Sequence, residues 1–292
     1  SVKLYKKLFS NKDYFYHLAQ EIKLPDCMER IIDVTCRRLQ NDEIAYDDAS
    51  GIAFLHIKTA GYDEYKKIKQ VVVDEAQDYH PIHFEILNSL FPQARYTILG
   101  DIYQTIGKQE DLSLYDQIKE TFSGKKSMLV TLNKSFRCTH DILAYSARFL
   151  GSDDKLNSFN RRGEPPAVLT APDKPALDRL ILSEISTCRQ MGYSSVGIIC
   201  KTQQDAAALF NRLQNKADLQ LIRNDEITDL KGIFVMPVYM SKGLEFDAVL
   251  LWDTDQEHYS SRDDKNLLYI ACTRALHKLT LFYTGPISPL LP

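Results

Sequence analysis

Short apolar runs, separated by longer stretches with helical periodicity, dominate the chain after Lys69. Each run lies between polar or turn-forming residues, which is typical of parallel strands covered on both faces by helices. The runs are Val71–Val73, Tyr96–Leu99, Met128–Val130, Ala167–Leu169, Val196–Ile199, Ala248–Leu251 and Leu279–Phe282. The pattern therefore predicts an α/β fold built on parallel sheets.

Amphipathic helices are predicted between these runs. Two stretches after residue 175 each place four apolar residues on one helical face. The residues are Leu177, Leu180, Ile181 and Ile185 in the first, and Ala206, Leu209, Phe210 and Leu213 in the second. Both faces are expected to pack against a sheet.

The first 50 residues differ in composition: they contain many charged residues and few apolar runs that would predict strands. The spacing of Tyr14, Leu18 and Ile22, and that of Ile31 and Leu39, predicts helices there. We therefore divide the chain into three parts. Residues 1–68 form a helical segment, residues 69–132 belong to a first parallel-sheet domain, and residues 133–292 form a second.

Composition narrows the classes of partner. The net charge is −3, whereas a protein that grips duplex DNA by its phosphates is usually basic. Any nucleic acid must therefore be held in a local groove. No apolar run is long enough to span a membrane, and the first residues do not resemble a signal peptide, so no membrane partner is expected.

The six cysteines are scattered without a CxxC pair or metal-ligand spacing. Such cysteines are typical of buried thiols in a reducing compartment, which favours the cytoplasm. A zinc site is not expected, because His80 and His83 have no further ligands at a suitable spacing.

The strongest chemical signal is the pair Asp74 and Glu75, directly after the run Val71–Val73. Ligands of a parallel sheet gather beyond the carboxyl ends of its strands. Nucleoside triphosphate hydrolysis needs one carboxylate for Mg²⁺ and another to orient the attacking water. Asp74 and Glu75 suit these two tasks, and an acidic helix start after a strand is the less favoured alternative.

Further motifs follow in order, and together they resemble the UvrD/Rep-type superfamily 1 helicases. The match covers about Lys69 to Tyr283. Its motifs are Asp74–Asp78 (the DEAQD form of motif II), Leu99–Ile106 (motif III), Leu132–Arg137 (motif IV), Ser241–Asp247 (motif V) and Leu268–Ala275 (motif VI). The resemblance implies two RecA-like domains of the P-loop NTPase fold, with ATP and Mg²⁺ as cofactors and single-stranded DNA as a partner.

The resemblance also implies roles for individual residues. Asp74 holds Mg²⁺, Glu75 orients water, and Gln104 senses the γ-phosphate. Arg137 and Arg274 act as arginine fingers that reach across the cleft between the two domains, since a guanidinium stabilises the charge of the transition state.

The remaining implied roles concern binding. Glu245 contacts the nucleotide sugar, and Asp101 and Gly243 are further nucleotide-binding candidates. Ser241, Lys242 and Tyr103 are nucleic-acid candidates, although core packing is the alternative for Tyr103.

One departure from the family concerns the phosphate loop. The family begins with G-x-x-x-x-G-K-[ST], whose backbone amides and lysine hold the phosphates. Residues 1–292 contain no such loop, and Gly124–Ser127 only partly matches it. The first RecA-like domain is therefore expected to be incomplete here. We expect an amino-terminal segment of the same protein to supply the loop, and residues 1–292 alone to be inactive.

Other departures resemble the HelD branch of the family, whose members bind RNA polymerase core in bacteria. Few residues separate Leu221 from Gly232, where UvrD/Rep proteins carry an inserted domain. Gly107–Gln109 replace stacking aromatics, and Pro237 and Tyr239 stand where Thr and His are usual. A HelD-like factor that recycles RNA polymerase in the bacterial cytoplasm is thus implied. The alternatives are a UvrD/Rep-type repair or replication helicase and a nonenzymatic RecA-like binding module.

Overall fold

A computed structural model describes residues 1–21, 25–61, 64–105, 113–132, 134–150, 157–158, 161–223 and 230–291. Its described residues divide into two compact units. Unit 1 comprises residues 1–101 and 113–129, and unit 2 comprises residues 102–105 and those from 130 onward. The predicted first domain ran to residue 132, so Gln104 falls on the other side of this division, and the predicted domain assignment stays a prediction.

Unit 1 begins with helices, as the spacing predicts. They are α1 (Val2–Phe9), α2 (Lys12–Glu21), α3 (Met28–Gln40) and α4 (Tyr46–Ala60). The buried face of α3 is displaced from the predicted one, because Ile32 and Leu39 are buried while Ile31 is exposed. Ile22 lies outside the described residues.

The sheet of unit 1 consists of β1 (Gln70–Val73) and β2 (Arg95–Ile98), which pair in parallel. It packs with α5 (Pro81–Leu90) and α6 (Ser113–Thr121). The core residues are Val73, Ala76, Phe84, Leu114, Ile118 and Phe122.

The predicted strand at Met128–Val130 is wrong. The described segment 126–132 has no regular secondary structure, and Met128 is 85% exposed. These residues pair with no described strand, and an apolar run without a pairing neighbour cannot satisfy the ladder that defines a strand.

Lys125, which lies in the segment that partly matches the phosphate loop, has a structural role. The ammonium of Lys125 donates to the carbonyls of Pro92 and Ala94 at 3.0 and 2.9 Å. It also lies 4.7 Å from the ring centroid of Tyr96. Lys125 therefore fastens the end of α6 to the turn before β2.

Unit 2 contains a six-stranded, entirely parallel sheet with the order β5-β10-β9-β6-β8-β7. The strands are β5 (Ala167–Ala171), β6 (Ser195–Cys200), β7 (Gln220–Leu221), β8 (Gly232–Pro237), β9 (Phe246–Leu251) and β10 (Ala275–Thr284). Two short strands, β3 (Lys134–Ser135) and β4 (Asn157–Ser158), pair separately. The helices are α7 (His140–Ala147), α8 (Lys174–Gln190), α9 (Gln203–Leu213) and α10 (Asp264–Cys272). The predicted α/β class with parallel sheets is confirmed.

Helices cover both faces of this sheet. Successive strand residues point to opposite faces, so Ile198 packs with α8 and α9, whereas Ile199 packs with α7 and α10. The two predicted amphipathic faces are confirmed, because the side chains of Leu177, Ile181 and Ile185, and of Ala206, Leu209 and Leu213, are almost fully buried.

Caps fix where these helices begin. The Asp173 carboxylate accepts a hydrogen bond from the Ala176 amide at 2.7 Å, and Thr202 and Asp205 form a capping box. No described helix is both long and apolar enough to cross a membrane. Four cysteines are buried as predicted, but Cys27 is exposed and Cys36 partly so.

Candidate functional site

The acidic candidates of unit 1 lie where β1 ends. The amide of Leu99 donates to the Val73 carbonyl, and the amide of Ala76 donates to the Leu99 carbonyl, both at 2.8 Å. These bonds hold the carboxyl ends of both strands together. Asp74 is exposed, and its Oδ1 accepts a hydrogen bond from the Glu75 amide at 2.8 Å.

Glu75 is fixed by its backbone and by Gln77. Its φ of 51° is left-handed, a conformation that non-glycine residues rarely adopt. The Gln77 side-chain amide donates to Glu75 Oε2 at 2.5 Å, and Gln77 Oε1 accepts from the Asp101 amide at 2.9 Å. Gln77 is fully buried. It therefore connects the carboxylate of Glu75 with the backbone of Asp101.

Gly100 makes this connection possible. A Cβ at this position would lie 2.6 Å from Gln77 Oε1 and 2.7 Å from the hydroxyl of Tyr115. Burial, and then the charge of Asp101, raise the pKa of Tyr115, so the hydroxyl keeps its proton. As a result, the carboxylate of Glu75 is held at the edge of the sheet by the buried side-chain amide of Gln77.

The predicted candidates of unit 2 lie in two pairs, of which the first is buried. Arg274 is fully buried, and its Nη2 donates to Gln104 Oε1 at 2.8 Å. Its Nε also donates to the Ile270 carbonyl at 3.1 Å, and Nη1 to that of Leu244 at 3.5 Å. The structure thus brings the predicted γ-phosphate sensor and one predicted arginine finger together. Their roles toward a nucleotide stay predictions.

The second pair is exposed to solvent. Arg137 Nε lies 2.5 Å from Glu245 Oε1, and the two side chains are 37% and 41% exposed. Gly243 precedes Glu245 and has a φ of 79°. This conformation suits glycine and turns the chain into β9.

The nucleic-acid candidates differ in accessibility. Ser241 is fully buried, and its hydroxyl donates to the Val238 carbonyl at 2.7 Å. The ring of Tyr103 packs against the core, with its centroid 6.2 Å from that of Tyr269 in an edge-on arrangement. Lys242 is partly exposed. Gly107–Gln109 lie outside the described residues.

Sequence reasoning missed two features. It gave no role to Gln77, although the residue stands within the DEAQD motif. It also overlooked Asp253, Asp255 and His258, whose metal-binding atoms lie close together. Three such side chains within six residues, directly after a buried strand, were the signal available for that cluster.

Comparisons with known proteins give a family match for part of the chain. Residues 232–282 match the family described as UvrD-like helicase C-terminal domain. The putative ATP-dependent DNA helicase R568 of Acanthamoeba polyphaga mimivirus is 27% identical over 248 residues, which are 74% of this chain and 34% of that protein. The chain thus spans about a third of the length of this curated relative.

Solved structures give further matches. The C-terminal domain of a possible DNA helicase from Lactobacillus plantarum WCFS1 is 32% identical, with a TM-score of 0.47, and the match covers 54% of this chain and 92% of that one. Arterivirus nonstructural protein 10, a helicase in complex with DNA, is 13% identical with a TM-score of 0.31, covering 51% and 33% of the two chains.

Residues 232–282 thus resemble a UvrD-like helicase C-terminal domain, and the mimiviral relative is also described as a helicase. The matched residues run from β8 to β10 and include Gly243, Glu245 and Arg274. The sheet that contains them is the parallel six-stranded sheet of unit 2, and its RecA-like type stays a prediction.

Proposed function

We propose that the chain is part of an ATP-dependent motor of the superfamily 1 helicases, which uses ATP and Mg²⁺ to move along single-stranded DNA. The observation that carries this proposal is the Glu75 carboxylate after β1. The buried Gln77 donates to this carboxylate and accepts a hydrogen bond from the backbone amide of Asp101. A carboxylate held in a fixed position can orient a water molecule, as hydrolysis requires.

The donor atoms of unit 1 fit Mg²⁺, which prefers oxygen ligands and retains several waters. Asp74 is exposed and follows a parallel strand, so it would hold the ion through its water shell. When bound, Mg²⁺ would neutralise charge on the phosphates. Glu75 would then accept a hydrogen bond from the attacking water, while Gln77 keeps its carboxylate from turning away.

Arg137 and Arg274 of unit 2 would have different roles. Arg137 forms an exposed ion pair with Glu245, and such pairs contribute only about 0–1 kcal/mol. It could therefore exchange this partner for a phosphate at small cost. Arg274 is buried against Gln104, so we assign to it the positioning of that amide.

Substitution of Glu75 in the intact protein tests this proposal. Glu75→Gln should lower DNA-stimulated ATP turnover about a thousandfold or more, since the amide cannot orient water as a carboxylate does. Glu43→Gln makes the same chemical change at an exposed site and should leave turnover unchanged. Turnover by Glu75→Gln within tenfold of the unsubstituted protein would overturn the proposal. Residues 1–292 alone should turn over ATP negligibly.

A HelD-like role, in which the motor remodels or recycles RNA polymerase in the bacterial cytoplasm, is the second candidate. Two observations favour it. β7 and β8 are neighbours in the sheet, and only residues 222–231 connect them, where UvrD/Rep proteins carry an inserted domain. In addition, β8 ends at Pro237, which has no N–H to offer a DNA phosphate.

Adding either partner to the intact protein distinguishes the two candidates. Strong stimulation of ATP turnover by single-stranded DNA, with none by RNA polymerase core, would favour a repair or replication helicase. Stable binding of the polymerase, with turnover little changed by DNA, would favour the HelD-like role. A protein that binds either partner but never hydrolyses ATP would be the nonenzymatic module.

A further inference from the structure

Three side chains with metal-binding atoms lie together just after β9. Asp253, Asp255 and His258 each place one such atom within 4.8 Å of the others. Both aspartates are 4% exposed, and His258 is partly buried. Carboxylates that are almost fully buried need a cation or several hydrogen bonds to compensate their charge.

Hydrogen bonds to Asp255 fix the orientation of His258. Its Nδ1 lies 2.7 Å from Asp255 Oδ1, and its backbone amide donates to the same oxygen at 2.9 Å. An ionised carboxylate only accepts hydrogen bonds, so Nδ1 carries the proton. In the neutral ring, Nε2 then presents its lone pair. Metal-binding histidines characteristically donate their other N–H to a carboxylate in this way.

The distance from this lone pair to Asp253 suits a metal ion. His258 Nε2 lies 3.8 Å from Asp253 Oδ2. That is too long for a hydrogen bond. Two ligands at about 2.1 Å from one metal ion can be up to about 4.2 Å apart. A single divalent ion can therefore bridge two atoms at this separation.

Asp253 supplies an independent indication. Its Oδ1 is buried and accepts no hydrogen bond from the described residues. Its Oδ2 is in contact with the ammonium of Lys174. The Lys174 side chain is 43% exposed, so it can move aside for another cation.

The cluster lies at the opposite end of β9 from the predicted nucleotide residues. Gly243 and Glu245 precede β9, whereas Asp253 follows it, and a six-residue strand is about 20 Å long. The loop is also well anchored. The amide of Thr254 donates to the Phe282 carbonyl at 2.7 Å, and that of Ser288 donates to the Thr254 carbonyl at 3.1 Å.

We propose that His258 Nε2 and the Asp253 carboxylate bind one first-row divalent metal ion at the carboxyl end of β9, with Asp255 orienting the imidazole. An imidazole ligand suits first-row transition metal ions better than Mg²⁺, and Mn²⁺ serves here as the probe of that series.

Titration of metal-free residues 1–292 with Mn²⁺ tests this site, with free Mn²⁺ followed by electron paramagnetic resonance. We expect one Mn²⁺ to bind per chain. His258→Gln and Asp253→Asn should each weaken binding at least about tenfold, and Asp255→Asn about 10- to 100-fold. Lys174→Met should tighten binding about three- to tenfold, because it removes a competing positive charge.

Matched controls separate this site from other carboxylates. His17→Gln and Asp116→Asn, both at exposed positions, should leave binding unchanged. Absence of saturable binding would overturn the proposal, and so would an affinity unchanged in both His258→Gln and Lys174→Met. The lysine variant removes no buried group, so it remains informative even if Asp253→Asn fails to fold.

Discussion

The main parallel sheets of the two units are built from similar apolar runs but are covered very differently. In β6 of unit 2, all six residues are buried between helices. In β1 of unit 1, Val73 is buried but Val72 is 62% exposed. An apolar run thus identifies a strand in both units, but the burial of that strand depends on the elements that pack against it.

The candidate catalytic residues show the same contrast. Those of unit 1 lie at the surface and are fixed from beneath by Gln77. In unit 2, Arg274 is itself in the interior. Substitution of a charged candidate should therefore affect stability strongly where the side chain is buried, as at Arg274, and weakly where it is exposed, as at Asp74.

Removal of Arg274 should have the largest effect. Arg274→Ala would leave a cavity and the acceptors on Gln104, Ile270 and Leu244 without their donor. We expect the unfolding free energy of unit 2 to fall by about 3–5 kcal/mol. Urea unfolding followed by fluorescence of Trp252, the single tryptophan, measures this change. The exposed control Arg179→Ala should change it by less than about 0.5 kcal/mol. A loss below about 1 kcal/mol for Arg274→Ala would show that its buried contacts contribute little.

Amide hydrogen exchange should then be faster in the sheet of unit 1 than in the six-stranded sheet of unit 2. The amides of β1 should exchange at least about 100-fold faster than those of β6, a difference of about 3 kcal/mol in opening free energy. The reason is that β1 packs against a much smaller core than β6. Mass spectrometry of peptides that contain Val72 or Ile198 measures the difference. Equal or reversed protection would contradict the comparison.

A smaller effect is expected at Gly100. The added methyl group of Gly100→Ala would collide with Gln77 and Tyr115, which should destabilise unit 1 by about 1–3 kcal/mol. Faster exchange of the β1 amides would report it. Gly124→Ala is the matched control, because no described atom lies within 4 Å of its added Cβ. Similar exchange in both variants would count against the close contact.

The smallest effect is expected for Arg137. Because its pair with Glu245 is exposed, Arg137→Ala should cost only about 0–1 kcal/mol, and less at high salt. Urea unfolding monitored at Trp252 at low and high salt measures both. A loss as large as that of Arg274→Ala would abolish the distinction between the buried and exposed arginines.

Much of the fold could be predicted because apolar runs report strands directly. Val71–Val73 and Val196–Ile199 are confirmed as strands. Met128–Val130 has the same apolar composition, but it is exposed and forms no strand. The sequence alone does not show whether another strand pairs with such a run. In α3 the helix was predicted but Ile32, rather than Ile31, is buried. Which of two adjacent residues on a helix is buried depends on the neighbouring helices that pack against it.

The candidate site was predictable in part. The place of Asp74 at a strand end followed from the geometry of parallel sheets. The burial of Arg274 did not, because a cation just after a helix has the same local sequence whether it faces solvent or the interior. The cluster around Asp253 was missed because its contacts depend on a left-handed turn, with a φ of 54° at that residue.

The distribution of thiols gives the chain a natural attachment point for a probe. Burial raises the pKa of Cys138, Cys200 and Cys272, and raises that of Cys188 to about 11, so these four resist alkylation at neutral pH. Cys27 is exposed. A maleimide dye should therefore attach there first, which would place a donor fluorophore in unit 1 for energy-transfer measurements without any engineered cysteine.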